Sequence, residues 1–322
     1  MKGLVLSGGG ASGCFEGGVI YRLFDEIKFD KIVGTSVGGL NAILLAQAYV
    51  DGSPEIIKKV WLEEIENNNS VFNINYKNII SLKPPISFKP LSKLVTKLVD
   101  VKAIKEIDTE VVVTSVNLVS GRVVYTSSHD SHVKGRDFER AIISSASVPF
   151  FTMPVKLFGK VLVDGGIREN IPIKKMIIDE KINDILVVVT GPIEPAPIDA
   201  SVAYGNPFKV LDRVLDIMMN EITLTDFKIL ELVNDLFITL GEKEARKIKY
   251  LNNKRIINTD IIMPKKKIVT ELLEFERDSM KKGFEKGIEH AENYLKSIGH
   301  TGNYLKGKAH KKTPCVSFYS YD

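Results

Sequence analysis

Residues 34–38 read Gly-Thr-Ser-Val-Gly, a serine framed by glycines where the β-branched pair Ile32-Val33 meets an apolar helical run from Leu40 to Ala48. A backbone that turns this sharply from strand to helix is strained and packed close, so the positions flanking the serine must do without a Cβ. That is the G-x-S-x-G pattern of a nucleophile elbow, which belongs to α/β architecture. Plain βα connections have the same composition, so the pentapeptide alone leaves both readings open.

A second glycine cluster lies upstream. The strand-like Leu4-Val5-Leu6 runs through Ser7 into Gly8-Gly9-Gly10 and Gly13, and Val19, Ile20, Leu23, Phe24 and Ile27 then recur at helical spacing. Gly8, Gly10 and Gly13 satisfy the dinucleotide-binding spacing G-x-G-x-x-G. That reading expects an acidic residue at the end of the next strand, roughly twenty residues on, to hold a ribose. Here the next strand ends in the serine elbow, and Asp30 precedes it. Three readings stay open: a dinucleotide-binding turn that lacks its expected acid, a glycine turn that lets helix and sheet approach, or a row of backbone N–H groups forming an oxyanion hole at a helix N-terminus.

The third cluster is Val161-Leu162-Val163-Asp164-Gly165-Gly166, followed by Asn170-Ile171-Pro172. An aspartate at the end of an apolar strand can face a neighbouring strand end, although Asp-Gly is more often a turn former. In order, the glycine loop, the serine and the aspartate, with Ala146-Ser147-Val148-Pro149 between the last two, resemble the patatin-like phospholipase family over roughly residues 3–190. The resemblance implies a Ser-Asp dyad: Ser36 as nucleophile, Asp164 as general base, and Gly8, Gly9 and Gly10 as oxyanion donors. Gly13, Gly34, Gly38, Gly165 and Gly166 are its supporting motif positions. The family often carries Arg or Lys where this chain has Ser12, so the backbone amides would carry more of the oxyanion stabilisation.

A Ser-His-Asp hydrolase would instead need a histidine late in the chain. The five histidines are His129, His132, His290, His300 and His310. All lie in polar, Lys/Glu-rich or Gly/Asn-rich surroundings and read as surface residues.

The chain has 322 residues, 44% hydrophobic and 26% charged, with a net charge of +4. This is the composition of a globular protein with a full core. Its mild basicity permits an anionic membrane surface as partner, and no nucleic-acid partner is expected. Two cysteines, Cys14 and Cys315, are too few for a disulfide framework. No signal peptide is read at the N-terminus, no apolar run reaches the roughly 20 residues of a membrane span, and a cytoplasmic location follows as the expectation. No metal-ligand cluster or cofactor motif is read.

Strands are expected at 3–7, 31–35, 110–117, 122–127, 160–164 and 184–190, with 110–127 a hairpin through Ser120-Gly121. Residues 68–106, punctuated by Asn67-Asn68-Asn69, Pro84-Pro85 and Pro90, read as an insertion: a surface connection or part of a substrate rim. After Pro192, Pro195 and Pro197 the pattern turns helical, over 206–240 with Met218-Met219 and again over 268–297, and ends in a basic tail of Lys306, Lys308, His310, Lys311 and Lys312. The expected architecture is therefore a three-layer α/β/α sandwich over 1–192 and a mainly helical extension over 193–322. The expected activity is hydrolysis of membrane phospholipid or another lipid ester at the periphery of a membrane. Acyl transfer or neutral-lipid hydrolysis on the same dyad, and lipid binding without catalysis, are the alternatives. Phe150, Phe151, Met153 and Phe158 are candidates for lining an apolar channel or for filling the core.

Overall fold

The computed structural model describes residues 1–322 apart from 180, 195–196, 202–205, 253, 255, 270, 301–315 and 322. The basic tail, Cys315, His310 and Pro195 thus lie outside the described residues. The strands in chain order are β1 (Lys2–Leu6), β2 (Lys31–Thr35), β3 (Asn73–Ile74), β4 (Ile86–Ser87), β5 (Glu110–Asn117), β6 (Val123–Ser127), β7 (Val155–Leu157), β8 (Lys160–Asp164), β9 (Asp184–Val188), β10 (Asn258–Pro264) and β11 (Val316–Tyr321). Nine of them form one sheet in the order β11-β10-β9-β1-β2-β5-β8-β7, with β6 paired to β5, while β3 and β4 form a separate ribbon. The hairpin read at 110–127 is β5–β6.

Alternation along the strands builds two cores. Leu4, Leu6, Ile32, Val113 and Val188 face one side, whereas Val5, Val33, Val112 and Val187 face the other. The first side is covered by α1 (Gly13–Leu23), α2 (Val37–Asp51), α3 (Lys89–Leu98), α4 (Gly135–Ser145) and α6 (Arg277–His300). The second is covered by residues 171–177 and by Phe227, Leu230, Val233 and Phe237 of α5 (Pro207–Leu240). Both faces are buried, which is why the inner strands read as continuous apolar runs rather than alternating ones.

The C-terminal part contributes strands as well as helices. β10 pairs in parallel with β9, and β11 with β10, so both extend the central sheet. Among the helices, α6 lies on α1, and a Cβ at Gly18 would stand 1.9 Å from Phe284 O, so the two backbones touch. This packing overturns one expectation. His290 is fully buried, edge-on to Phe15 with ring centroids 5.1 Å apart, and not on the surface. The polar residues around it in sequence belong to the opposite side of an amphipathic helix. His129 and His132 are exposed as read; the side chain of His300 is not among those described.

Candidate active site

Ser36 follows β2 and caps α2 with φ 55° and ψ −123°, a left-handed conformation unusual for a residue with a side chain. Two close approaches force the turn. A Cβ at Gly34 would lie 2.2 Å from Gly38 O, and one at Gly38 would lie 2.4 Å from Leu6 O. The strained serine is held by its neighbours, since its N–H donates to Ser145 Oγ at 2.7 Å and Ser145 Oγ–H donates to Thr114 O at 2.6 Å.

Asp164 ends β8. Its N–H donates to Ser147 O at 2.9 Å, and its Oδ1 accepts the Gly166 N–H at 2.7 Å. The Ser36 hydroxyl lies beside its carboxylate and favours the ionised form. Asp164 is only 3% exposed and Ser36 only 7%. Burial pushes the Asp164 carboxyl up to about 7, against the opposing pull of the Gly166 N–H and the Ser36 hydroxyl. A carboxyl raised towards neutrality beside a serine hydroxyl has the pKa that a general base needs.

The glycine loop stands beside this pair. A Cβ at Gly8 would be 3.4 Å from Ser36 Cβ. The Gly8 N–H is committed to Asn170 O at 3.2 Å. Among the described residues the amides of Gly9 and Gly10 have no acceptor, so of the three expected donors these two are available to an oxyanion. Gly9 (φ 159°) and Gly10 (φ 55°) hold conformations that favour glycine, and a Cβ at Gly10 would meet Leu272 O at 2.0 Å.

Behind the loop lies a buried polar chain that the sequence did not announce. Glu16 Oε1 accepts the Ser7 N–H at 2.8 Å, and Glu16 Oε2 accepts Asn41 Nδ2–H at 3.0 Å. Asn41 Oδ1 in turn accepts Trp61 Nε1–H at 2.9 Å. Burial raises the Glu16 carboxyl to about 8. In sequence Glu16 is one acidic residue in a helix, and only the fold turns it toward the strand end.

Ser36, Asp164 and Gly10 open onto a pocket with an apolar wall. The insertion supplies Val71, Phe88 and Leu91, and α5 supplies Leu215, Met218 and Met219. The aromatic candidates do not line it. Phe150 and Met153 are exposed, Phe151 is buried and Phe158 packs half-buried against the core. The loop after α4 brings Ala146 and Val148 to the cavity wall but not the four candidates, whose place is taken by residues of the 68–106 stretch and by the methionine pair. A second, more polar cavity lies on the other side of the glycine loop, lined by Gly8, Gly9, Asn170, Thr190, Asn220 and Lys267 among others. It shares the walls Met219 and Leu272 with the first.

Residues 4–177 match the family model described as patatin-like phospholipase, which is more than half of the chain. The chain belongs to the patatin-like phospholipase family. Lysophospholipase NTE1 of Candida albicans (strain SC5314 / ATCC MYA-2876) is 28% identical over 175 residues, 54% of this chain and 12% of that protein. The patatin-like chain therefore spans a small part of the length of that relative. The crystal structure of VipD from Legionella pneumophila matches with a TM-score of 0.42 at 16% identity, over 92% of this chain and 67% of the other.

The patatin-like match covers the elbow, the glycine loop and Asp164, and stops short of α5 and α6. Among the described residues no group of three or more His, Cys, Asp or Glu could hold a metal ion, and no helix is long and apolar enough to cross a membrane.

Proposed function

We propose that this patatin-like chain hydrolyses the carboxylic ester of a membrane lipid through an acyl-enzyme. The observation that carries the reading is the pairing of Ser36 with the buried Asp164 carboxyl on the wall of one apolar pocket. Ser36 Oγ attacks the acyl carbonyl as its proton passes to Asp164. The Gly9 and Gly10 amides receive the oxyanion. The protonated Asp164 then gives its proton to the departing alcohol, leaving the fatty acyl group on Ser36 for water to release. The apolar cavity receives the acyl chain. The name of the Candida relative, a lysophospholipase, points the same way.

Exposed apolar residues around the insertion support contact with a lipid surface. Ile80 and Leu82 are 86% and 95% exposed, close to the exposed lysines Lys77 and Lys83. The nearby Phe150 and Met153 segment is tied to the insertion through the Ile86 N–H bond to Phe151 O at 2.8 Å. Apolar side chains beside cations match the chemistry of an anionic bilayer surface.

The test is covalent labelling with a fluorophosphonate, together with release of fatty acid from lysophospholipid and phospholipid vesicles. Labelling and turnover should both vanish in Ser36→Ala. Turnover that survives this substitution sinks the assignment.

A further inference from the structure

The dyad accounts for the attack of the serine but leaves Asn170 unexplained. Asn170 is 5% exposed, and its Nδ2–H donates to Thr223 Oγ1 at 3.0 Å. Its Oδ1 is buried and has no donor among the described residues. A buried carbonyl oxygen without a donor costs on the order of 1–3 kcal/mol. Such a group calls for a donor that the described residues do not supply, such as a water or a ligand.

The position of that oxygen says which donor. A carbon placed where a Gly166 side chain would begin lies 3.1 Å from Asp164 Oδ1 and 3.3 Å from Asn170 Oδ1. One placed at Gly8 lies 2.5 Å from Asn170 Oδ1 and 3.4 Å from Ser36 Cβ. The two oxygens therefore lie around the same pair of glycines next to the nucleophile, with Met219 Cε 3.3 Å from both positions as the wall between the two cavities. One oxygen belongs to the candidate base; the other is a neutral acceptor. Asn170 also lines the polar cavity, whereas Ser36 and Asp164 line the apolar one.

We infer that Asn170 positions the water that hydrolyses the acyl-enzyme, a reading that rests on the Ser36–Asp164 mechanism above. Water carries two O–H bonds. In the attacking water one O–H points at Asp164, which takes that proton as the oxygen bonds to the acyl carbonyl carbon. The other O–H donates to Asn170 Oδ1 and stays with the product. The tetrahedral intermediate then collapses, its bond to Ser36 Oγ breaks, and the Asp164 proton returns to Ser36 Oγ as the fatty acid leaves. The polar cavity is the side from which water arrives, since the apolar cavity is filled by the acyl chain. The Thr223 bond holds the amide so that its oxygen faces the reacting space.

An alcohol acceptor separates this role from a merely structural one. Methanol has a single O–H, which Asp164 takes, so its attack leaves no second hydrogen for Asn170. The full chain is assayed with a short p-nitrophenyl ester in fixed aqueous methanol, and free acid and methyl ester are quantified. In Asn170→Ala the ratio of methyl ester to acid should rise about tenfold, the equivalent of one lost hydrogen bond. Fluorophosphonate should still label Ser36 at close to the wild-type rate. Asn170→Asp, which keeps an acceptor oxygen, should restore the wild-type ratio even if its charge slows both reactions. If Asn170→Ala fails to fold, the bulkier Asn170→Leu should show the same rise. An unchanged ratio in a variant that still labels overturns the inference and leaves the dyad standing. Absence of any Ser36 adduct in the wild type overturns the dyad and this inference together.

Discussion

Ser36 and Asp164 meet end to end along one edge of β5. β6 pairs with Val112–Val116 on one edge of that strand, so β2 and β8 must both use the other. β2 finishes at the pair Thr35↔Thr114, and β8 finishes at the next position, Ser115↔Asp164. β2 runs parallel to β5 and β8 antiparallel, so their C-terminal ends point at each other. The serine leaving one strand and the aspartate ending the other therefore face each other. A mixed sheet is what makes the pair.

Removing the charge of Asp164 tests this pair. Asp164→Asn keeps the volume and can still accept the Gly166 N–H, but it cannot take a proton. Ester hydrolysis should fall by at least ~10², the usual contribution of a positioned base. The same variant should unfold at a higher temperature than wild type at pH 8, by on the order of 1–4 kcal/mol in stability, because a buried carboxylate no longer has to ionise. A variant that is equally inactive but less stable would show that Asp164 holds the turn rather than the proton.

The pH dependence follows from two buried carboxyls. Asp164 is raised from 3.8 to about 7, and Glu16 from 4.5 to about 8, both by burial. Folded-state values above the unfolded ones mean that the stabilising contribution is complete below about pH 4. It is lost as the pH climbs through about 7 and then about 8. The melting temperature should thus decline from pH 5 to pH 9, while kcat/KM rises through about pH 7 as Asp164 becomes a base. A melting temperature that increases over this range contradicts both assignments.

The sequence carried six strands of the sheet, the elbow and Asp164 because each rests on local chemistry: β-branched runs, glycines at a forced turn, an acid at a strand end. It missed β7, β10 and β11, which are completed by pairing with other strands of the sheet. It did not carry the cavity. Val71, Phe88 and Leu91 come from an insertion of short apolar pieces, and Leu215 and Met219 come from a helix far along the chain. Nothing local distinguishes those side chains from core residues. Met218 is almost half exposed yet lines the cavity, while Phe151 and Phe158 went to the core. His290 misled for a related reason. Its sequence neighbours are charged, but its own helix face packs on α1, and burial holds its imidazole below the ordinary range.

His290 therefore yields an expectation different from that for a surface histidine. His290→Ala should lower stability by about 1–3 kcal/mol through the space left against Phe15. It should leave the turnover of the folded fraction within a factor of about two. Turnover lost as completely as in Asp164→Asn, with the melting temperature unchanged, would indicate a triad.

The insertion offers the last test, because it lines the cavity from within and exposes apolar side chains outside. Ile80 and Leu82 can contribute to lipid binding without contributing to the core, since they are 86% and 95% exposed. Burying such a side chain in a bilayer interface is worth about 1.5–3 kcal/mol, so losing both should weaken vesicle binding by roughly 10²-fold or more. Paired substitution Ile80→Asp and Leu82→Asp adds repulsion from anionic lipid to that loss. The variant should sediment poorly with phosphatidylglycerol vesicles and hydrolyse vesicle lipid slowly. It should process a short soluble ester at the wild-type rate, because Val71, Phe88 and Leu91 keep the cavity wall. Raising salt should weaken wild-type sedimentation through screening of Lys77 and Lys83, leaving a residual apolar component. Equal vesicle binding by variant and wild type would remove the insertion from the membrane contact and turn attention to the exposed face of α5 around Val214 and Ile217.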